Sequence, residues 1–417
     1  MLNNNDIKLK EEIKILGCKP GIAALIIIVL IFISRMMSLL WFKPGGLTGN
    51  YTDYSVYYSI VKLSDMGALP FIHFWREYPP FNLYIMLWIY KISLNFSTAV
   101  FNNFQIFSIL LFTVMSIIEA GTVAVLYLAG REIYNGIKPF TIILIYGILF
   151  YPIFVLNFSF DYIHIFFMMA SLYLFIKEKY AFSFIIAGIG ISSKIFPVLL
   201  IPVFFMYSPK IKTKILSVAI PLLIFFIILS PFLYANYKFI ISFFAFLIKR
   251  HPWESIPALM NGYYSVGKAL LPQYYFDSES YKILIIGFED KYSIYFTLTA
   301  GLIILFTALR KPSEINKIKV VKTALFIISV FFAFSKGWSS QYILTVIPLI
   351  ILCLPDYKGI IIILMLSIFN FLENPVYFNY FPEKLWILKC SVIGRFAVLC
   401  FTAVIAKTQK HDVLENK

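Results

Sequence analysis

Charge is scarce in this chain. Of its 417 residues only 14% are Asp, Glu, Lys or Arg, and acids are the scarcer sign, 21 against 36 bases. Soluble domains carry about a quarter charged residues, so a soluble globular class is excluded. Cysteine is equally sparse. Cys18, Cys353, Cys390 and Cys400 lie in or beside hydrophobic runs or in the N-terminal tail, with no framework of disulfides and no zinc-ligand spacing. The chain also lacks a Gly-rich phosphate loop, a Ser/His/Asp pattern and an Asp-x-Asp pair; Asp277-Ser-Glu279 is the nearest approach. ATP-driven transport and cytosolic nucleotide-sugar chemistry are both disfavoured by those absences. There is no internal repeat and no low-complexity segment.

Apolar surface is what the sequence has in quantity. Hydrophobic residues make up 60% of it and aromatics 19%, with a mean hydropathy of +0.84. The expected class is an all-α polytopic membrane protein. The formal charge of +15 then reads as positive cytoplasmic loops. No Lys/Arg tract has the density or aromatic interleaving of a nucleic-acid site, so no nucleic-acid partner is expected.

Hydrophobic runs fall near 22–41, 80–94, 105–129, 139–156, 161–176, 181–206, 215–235, 292–309, 323–335, 342–355, 359–372 and 386–406. Basic clusters lie between them, at Lys8 to Lys19, Arg131 with Lys138, Lys177 with Lys179, Lys210 to Lys214, Arg310 to Lys322 and the C-terminal tail. Placing all of these inside constrains the crossings. The run 22–41 goes out as an uncleaved anchor and 105–129 returns. The intervening 80–94 is short for a core of about 30 Å and is expected to lie along the outer face. By the same parity 181–206 is expected to form a buried hairpin broken at "SSKIFP", residues 192–197. The count is about twelve crossings with both termini cytoplasmic. The expected organisation is a cytoplasmic tail 1–21, one transmembrane domain 22–406 with structured outer loops near 42–104 and 236–291, and a cytoplasmic tail 407–417.

Several polar residues sit where chemistry could use them, each with a plainer reading beside it. Asp53 in "GNYTDYSVYYS" suits a general base facing the outer leaflet, and equally a helix N-cap. Arg76, Glu77 and Tyr78 in "FWREYPPFN" border either a site or a proline-initiated helix with a surface ion pair. Asp161 opens "DYIHIFFMM" with His164 one turn on; the pair suits a sugar or phosphate, or simple capping. Lys194, at the hairpin break, suits an anion at membrane depth such as a lipid phosphate, or snorkelling. "KRHPWESIPA" offers Arg250, Trp253 and Glu254, and "FSKGWSSQYI" offers Lys336 and Gln341; aromatics with mixed charges fit sugar binding, or an interfacial belt and a tight turn. Three ionisable residues fall inside hydrophobic runs. Arg35 is expected to snorkel, and Glu119 and Arg395 to pair with each other.

Taken in order, "TDYSVYY", "GALPFIHFWREYPPF", "NFSFDYIH", "SSKIFPVLLIP", "RHPWESIPA" and "FSKGWSSQYILTVIPL" resemble the GT-C class of integral-membrane glycosyltransferases. The likeness is greatest to glycosyltransferase family 87, related to polyprenyl-phosphate-mannose mannosyltransferases. The resemblance implies a GT-C-like helical bundle in a prokaryotic plasma membrane. It implies inverting transfer of a hexose, usually mannose, from a polyprenyl-phosphate donor on the non-cytoplasmic face. The acceptor would be a glycan, a glycolipid or a protein-linked glycan. Asp53 would be the base. Lys194, Asp161, His164, Arg250, Lys336 and Gln341 would hold the donor, and Arg76, Glu77, Tyr78, Trp253 and Glu254 would line the acceptor cavity. No cofactor is implied beyond the lipid-linked sugar itself. The single acid of the first-loop motif fits a metal-free reaction and departs from the oligosaccharyltransferase branch. The rival readings are a lipid-linked glycan polymerase or ligase of another fold, and a lipid or solute transporter.

Overall fold

The computed structural model describes residues 19–41, 53–96, 101–265, 272–285, 289–312 and 316–408. Cys18, with most of the expected N-terminal tail 1–21 and of the expected C-terminal tail 407–417, lies outside these residues. Among the described residues there is no strand, only isolated bridges at Pro70–Phe74 and Trp253–Gly337. Hydrocarbon cannot satisfy backbone N–H and C=O groups, so apolar runs of this length become helices that satisfy their own. Among the described residues, five helices are long and apolar enough to cross a membrane: Pro20–Leu39, Asn103–Ile133, Ile211–Lys249, Tyr357–Tyr380 and Leu385–Thr408. Lys138–Ile148 and Phe150–Leu156 form a further pair bent by 53°. Shorter apolar helices occupy Tyr162–Ile176, Tyr180–Ser193, Phe196–Tyr207, Ser293–Leu309 and Ser340–Cys353. Exposed Leu25, Ile26, Val29, Leu30 and Ile33 mark the first helix as one that presents apolar side chains outward, as a lipid-facing helix does. The expected all-α, polytopic class is the one observed.

The chain divides into two compact units. The first holds residues 1–201, 208–251 and 267–289. In it the Tyr162–Ile176 and Tyr180–Ser193 helices are tied by reciprocal hydrogen bonds. Ser171 Oγ donates to the Ser183 carbonyl at 2.9 Å and Ser183 Oγ to the Ser171 carbonyl at 2.8 Å. At Gly188 the absence of a side chain is used directly: a Cβ there would sit 2.7 Å from the Pro221 carbonyl oxygen. That lets Tyr180–Ser193 lie close against Ile211–Lys249.

Arg35 does not snorkel. It is 1% exposed, and its Nε donates to both oxygens of Glu119 at 3.2 Å while one Nη donates to the Gly147 carbonyl at 3.1 Å. Glu119 therefore pairs with Arg35 and not with Arg395. A carboxylate at 0% exposure must be met by the nearest cation, and the planar guanidinium reaches both its oxygens at once. Arg35→Met should strand that carboxylate at a cost of about 3–5 kcal/mol, and Arg35→Met with Glu119→Leu should recover most of the loss. Thermal unfolding in detergent reads both; equal stability of the single variant and the parent would refute the pairing argument.

The segment 236–249, expected to begin a loop, continues instead as helix to Lys249 after a local break at Asn236, where φ is −160° and ψ 86°. Phe239, Ile240, Phe243 and Phe246 are buried, and their helical spacing gives this stretch a continuous apolar face. Phe71 packs on Phe243 at 6.0 Å and Trp75 on Phe246 at 5.7 Å. The Pro80–Ser93 helix has 14 residues, about 21 Å at 1.5 Å per residue, short of a core of about 30 Å.

The second unit holds residues 202–207, 252–266 and 290–417. Its centre is the Ile343–Cys353 helix, every residue of which is buried. Arg395, 2% exposed, pairs there with Glu373 at 2.5 and 3.0 Å and donates to the Glu254 carbonyl at 2.5 Å and to Asn370 Oδ1 at 3.3 Å. Its guanidinium lies 4.8 Å from the Trp338 ring. The expected partner of Arg395 is Glu119; its acid is instead Glu373, which lies in an irregular turn of helix after Phe371.

Candidate active site

Asp53 begins the Asp53–Lys62 helix, where the helix dipole favours a carboxylate. One turn on, Tyr57 donates its hydroxyl to Asp53 Oδ2 at 3.0 Å. Buried Tyr54 anchors the same helix by donating to the Leu156 carbonyl at 2.8 Å. The Tyr57 ring meets Tyr78 at 5.5 Å and Phe160 at 5.1 Å, and Tyr78 meets Phe160 at 5.3 Å. These three edge-on contacts form an aromatic triangle with Asp53 beside it.

Asp161 follows Phe160 directly. It precedes the Tyr162–Ile176 helix but makes no side-chain cap there. Both of its oxygens instead accept from Lys194 Nζ at 2.7 Å. Asp161 is 1% exposed and Lys194 17%. Lys194 is the residue at which the Tyr180–Ser193 helix stops, with extended φ −160° and ψ 145°. The chain then turns back on itself: Pro197 closes against Gly190, where a Cβ would stand 3.1 Å from the proline ring. The expected break at 192–197 is thus present. It is held from the "YPPFN" segment, because buried Asn82 donates to the freed Ser193 carbonyl at 2.6 Å. Pro80 at the first turn of its helix sets the direction from which Asn82 reaches. His164 is 1% exposed and packs edge-on against Phe196 at 5.6 Å.

Arg76 is also buried, at 4% exposure, with its guanidinium over the Tyr275 ring at 3.8 Å. Trp75 fixes this segment by donating from its backbone to the Tyr275 carbonyl at 3.0 Å and from Nε1 to the Asp277 carbonyl at 2.9 Å. Arg250, which ends the Ile211–Lys249 helix, lies over Phe246 at 5.4 Å. Tyr78 stands within the electrostatic reach of Asp53, Glu77, Tyr275 and Arg250.

Burial lifts the Asp53 carboxyl from its ordinary range to about 7, the Tyr57 hydrogen bond and Lys194 opposing the rise, Asp161 and Glu77 adding to it. Burial, with Asp53 and Glu77, pushes the Tyr78 hydroxyl upward, and Arg250 opposes the rise. A carboxyl poised near neutrality, a bidentate lysine–carboxylate pair and an aromatic wall therefore share one end of the first unit. Asp53, Arg76, Glu77, Tyr78, Asp161, His164, Lys194 and Arg250 all belong to this unit.

Trp253, Glu254, Lys336 and Gln341 belong to the second unit. There Trp253 donates from its backbone to the Lys336 carbonyl at 3.2 Å and accepts from Trp338 at 3.1 Å. Ser255 Oγ donates to the Lys336 carbonyl at 2.7 Å. Gly337 is bare against the Trp253 ring, where a Cβ would stand at 2.4 Å. Gln341 is half-buried in the turn Ser340–Tyr342. Tyr57, Phe160, Asn82 and Tyr275 escaped the sequence reading. Only Tyr57 carried a usable signal, its four-residue spacing from Asp53 on one helix face.

No protein-family model and no curated protein matches the chain. Among the solved structures that resemble it are two of the Archaeoglobus fulgidus oligosaccharyltransferase. One is the apo form, at 12% identity and a TM-score of 0.39, covering 91% of this chain. The other is tethered by a disulfide bond to an acceptor peptide containing the NVT sequon, at 13% identity and a TM-score of 0.38, covering 93% of this chain. This chain spans 56% of the length of each. A likeness at that level assigns no activity.

Proposed function

We propose that the chain is an inverting glycosyltransferase that moves a hexose, mannose in the first instance, from a polyprenyl-phosphate donor to a glycan or lipid-linked acceptor, with Asp53 as general base. The observation that carries this reading is the Asp53 carboxyl. Burial raises it to about 7, and Lys194, the cation at a break in an apolar helix, lies in the same unit. A base must be ionised at working pH yet basic enough to take a proton, and a pKa near 7 meets both demands.

In the proposed step the acceptor hydroxyl gives its proton to the Asp53 carboxylate. The acceptor oxygen forms the new bond at the anomeric carbon, and the bond from that carbon to the phosphate oxygen breaks with its electron pair. The departing phosphate carries the negative charge. Lys194, held by both oxygens of Asp161, is the cation assigned to the departing phosphate, and a fixed cation stabilises charge as it develops. Attack opposite the leaving group inverts the anomeric centre. His164 and Arg250 are assigned to the donor in this reading, and Tyr78 to the acceptor side. Active groups face the non-cytoplasmic side with both termini cytoplasmic, the arrangement the basic clusters favour. No metal takes part in the proposed step. The test is transfer by the purified full chain from a panel of polyprenyl-phosphate sugars, with and without a chelator. Chelator-insensitive transfer from a monophosphate donor is expected; no transfer from any member of the panel overturns the reading.

A further inference from the structure

Buried charges in proteins are paired or hydrogen-bonded, and an exception calls for a partner that is missing. Arg76 is such an exception. It is 4% exposed, its Nε meets no acceptor, and its guanidinium lies over the Tyr275 ring at 3.8 Å. Stacking uses the face of the guanidinium and does not satisfy the buried Nε–H, which meets no acceptor. The neighbouring Glu77 also keeps a buried Oε2 with no partner, and it is not paired with Arg76. A cation and an acceptor, adjacent in sequence and each unsatisfied, are what a polar ligand with one anionic and one hydroxyl group would complete. Lys194 differs, since both oxygens of Asp161 already meet its charge.

We infer that Arg76, seated on Tyr275, binds an oxyanion, carboxylate or phosphate, carried by the acceptor sugar, with Glu77 taking a hydroxyl of the same sugar. The placement on the acceptor rests on the reading of Asp53 as the acceptor's base. Tyr78, two residues from Arg76, feels the Asp53 charge on one hand and Tyr275 and Arg250 on the other. The Tyr78 ring also packs edge-on against Tyr57, whose hydroxyl donates to Asp53, so the stretch carrying Arg76 runs into the aromatic triangle beside Asp53. A planar guanidinium fork matches a carboxylate or phosphate bidentately, which a lysine does not. The acceptor is accordingly an acidic or phosphorylated saccharide, and a neutral one is discriminated against.

The experiment measures binding of methyl glucuronide, glucose 6-phosphate and methyl glucoside to the full chain in detergent, alongside a polyprenyl phosphate. Binding of the two acidic sugars at least tenfold tighter than the glucoside is expected. Arg76→Gln should abolish that preference and leave polyprenyl-phosphate binding unchanged, while Arg76→Lys, which keeps the charge without the fork, should retain part of it. Tyr275→Leu supplies a second variant should Arg76→Gln fail to fold, and is expected to weaken the preference in the same direction. Equal binding of acidic and neutral sugars by the parent chain overturns the inference, as does a preference that survives Arg76→Gln. A loss confined to polyprenyl phosphate overturns it too, because the oxyanion would then be the donor's. A preference that behaves as expected in a protein that transfers no sugar would uphold the site and reject the transferase reading.

Discussion

Asp53→Asn is expected to lower sugar transfer by about 10²–10⁴-fold while donor binding and folding are kept. Asparagine preserves the shape and still accepts from the Tyr57 hydroxyl, now 3.0 Å away, but it cannot take the acceptor's proton. The pH dependence gives the same claim a second reading. The carboxyl is raised to about 7 chiefly by burial, so the base is neutral and idle below that pH. Transfer at low substrate concentration should rise as pH increases through about 7, and Asp53→Asn should flatten the rise. Stability runs the other way. A carboxyl whose folded pKa is raised favours the folded state when protonated, so its contribution is present at low pH and is lost as pH rises from the ordinary 3.8 to about 7. Thermal unfolding across that window should show the Asp53 share of the loss disappear in Asp53→Asn. Retained transfer in Asp53→Asn would reject the base assignment.

The second large effect is at the helix break. Lys194→Met removes the partner of a carboxylate that is 1% exposed, and the uncompensated charge should cost about 3–5 kcal/mol of stability. Adding Asp161→Asn removes the stranded charge and should return most of that stability. Transfer should stay lost in the double variant, because the cation that meets the departing phosphate is still absent. Unfolding midpoints and transfer rates on the same three proteins check this. A double variant that recovers both stability and transfer would reduce the pair to a structural brace.

Much of this arrangement was legible from local chemistry. Helix runs, the short helix after Tyr78-Pro79-Pro80 and the break at Lys194 follow from hydropathy, proline placement and the parity of basic clusters. Asp53, Asp161 and Lys194 stood out because a charge in an apolar chain is costly. Their partners were not legible. Asp161 and Lys194 are 33 positions apart, Arg35 and Glu119 are 84 apart, and Arg395 finds Glu373 within 22. Periodicity says which face of a helix a charge occupies but not which helix lies opposite. That is why Glu119 and Arg395 were matched wrongly and Arg35 was sent to the interface. The extension to Lys249 was missed for a different reason. Its aromatic face is buried against Phe71 and Trp75 from a distant loop, and tertiary contact of that kind leaves no mark in a local window.

The account turns on the anomeric configuration of the product. Incubating the purified chain with a polyprenyl-phosphate hexose of known anomeric form and mapping the new linkage by NMR tests it in one measurement. Inversion relative to the donor phosphate is predicted, with no product from the matching pyrophosphate-linked donor. Retention of configuration, or transfer from the pyrophosphate donor alone, would contradict a single displacement driven by Asp53.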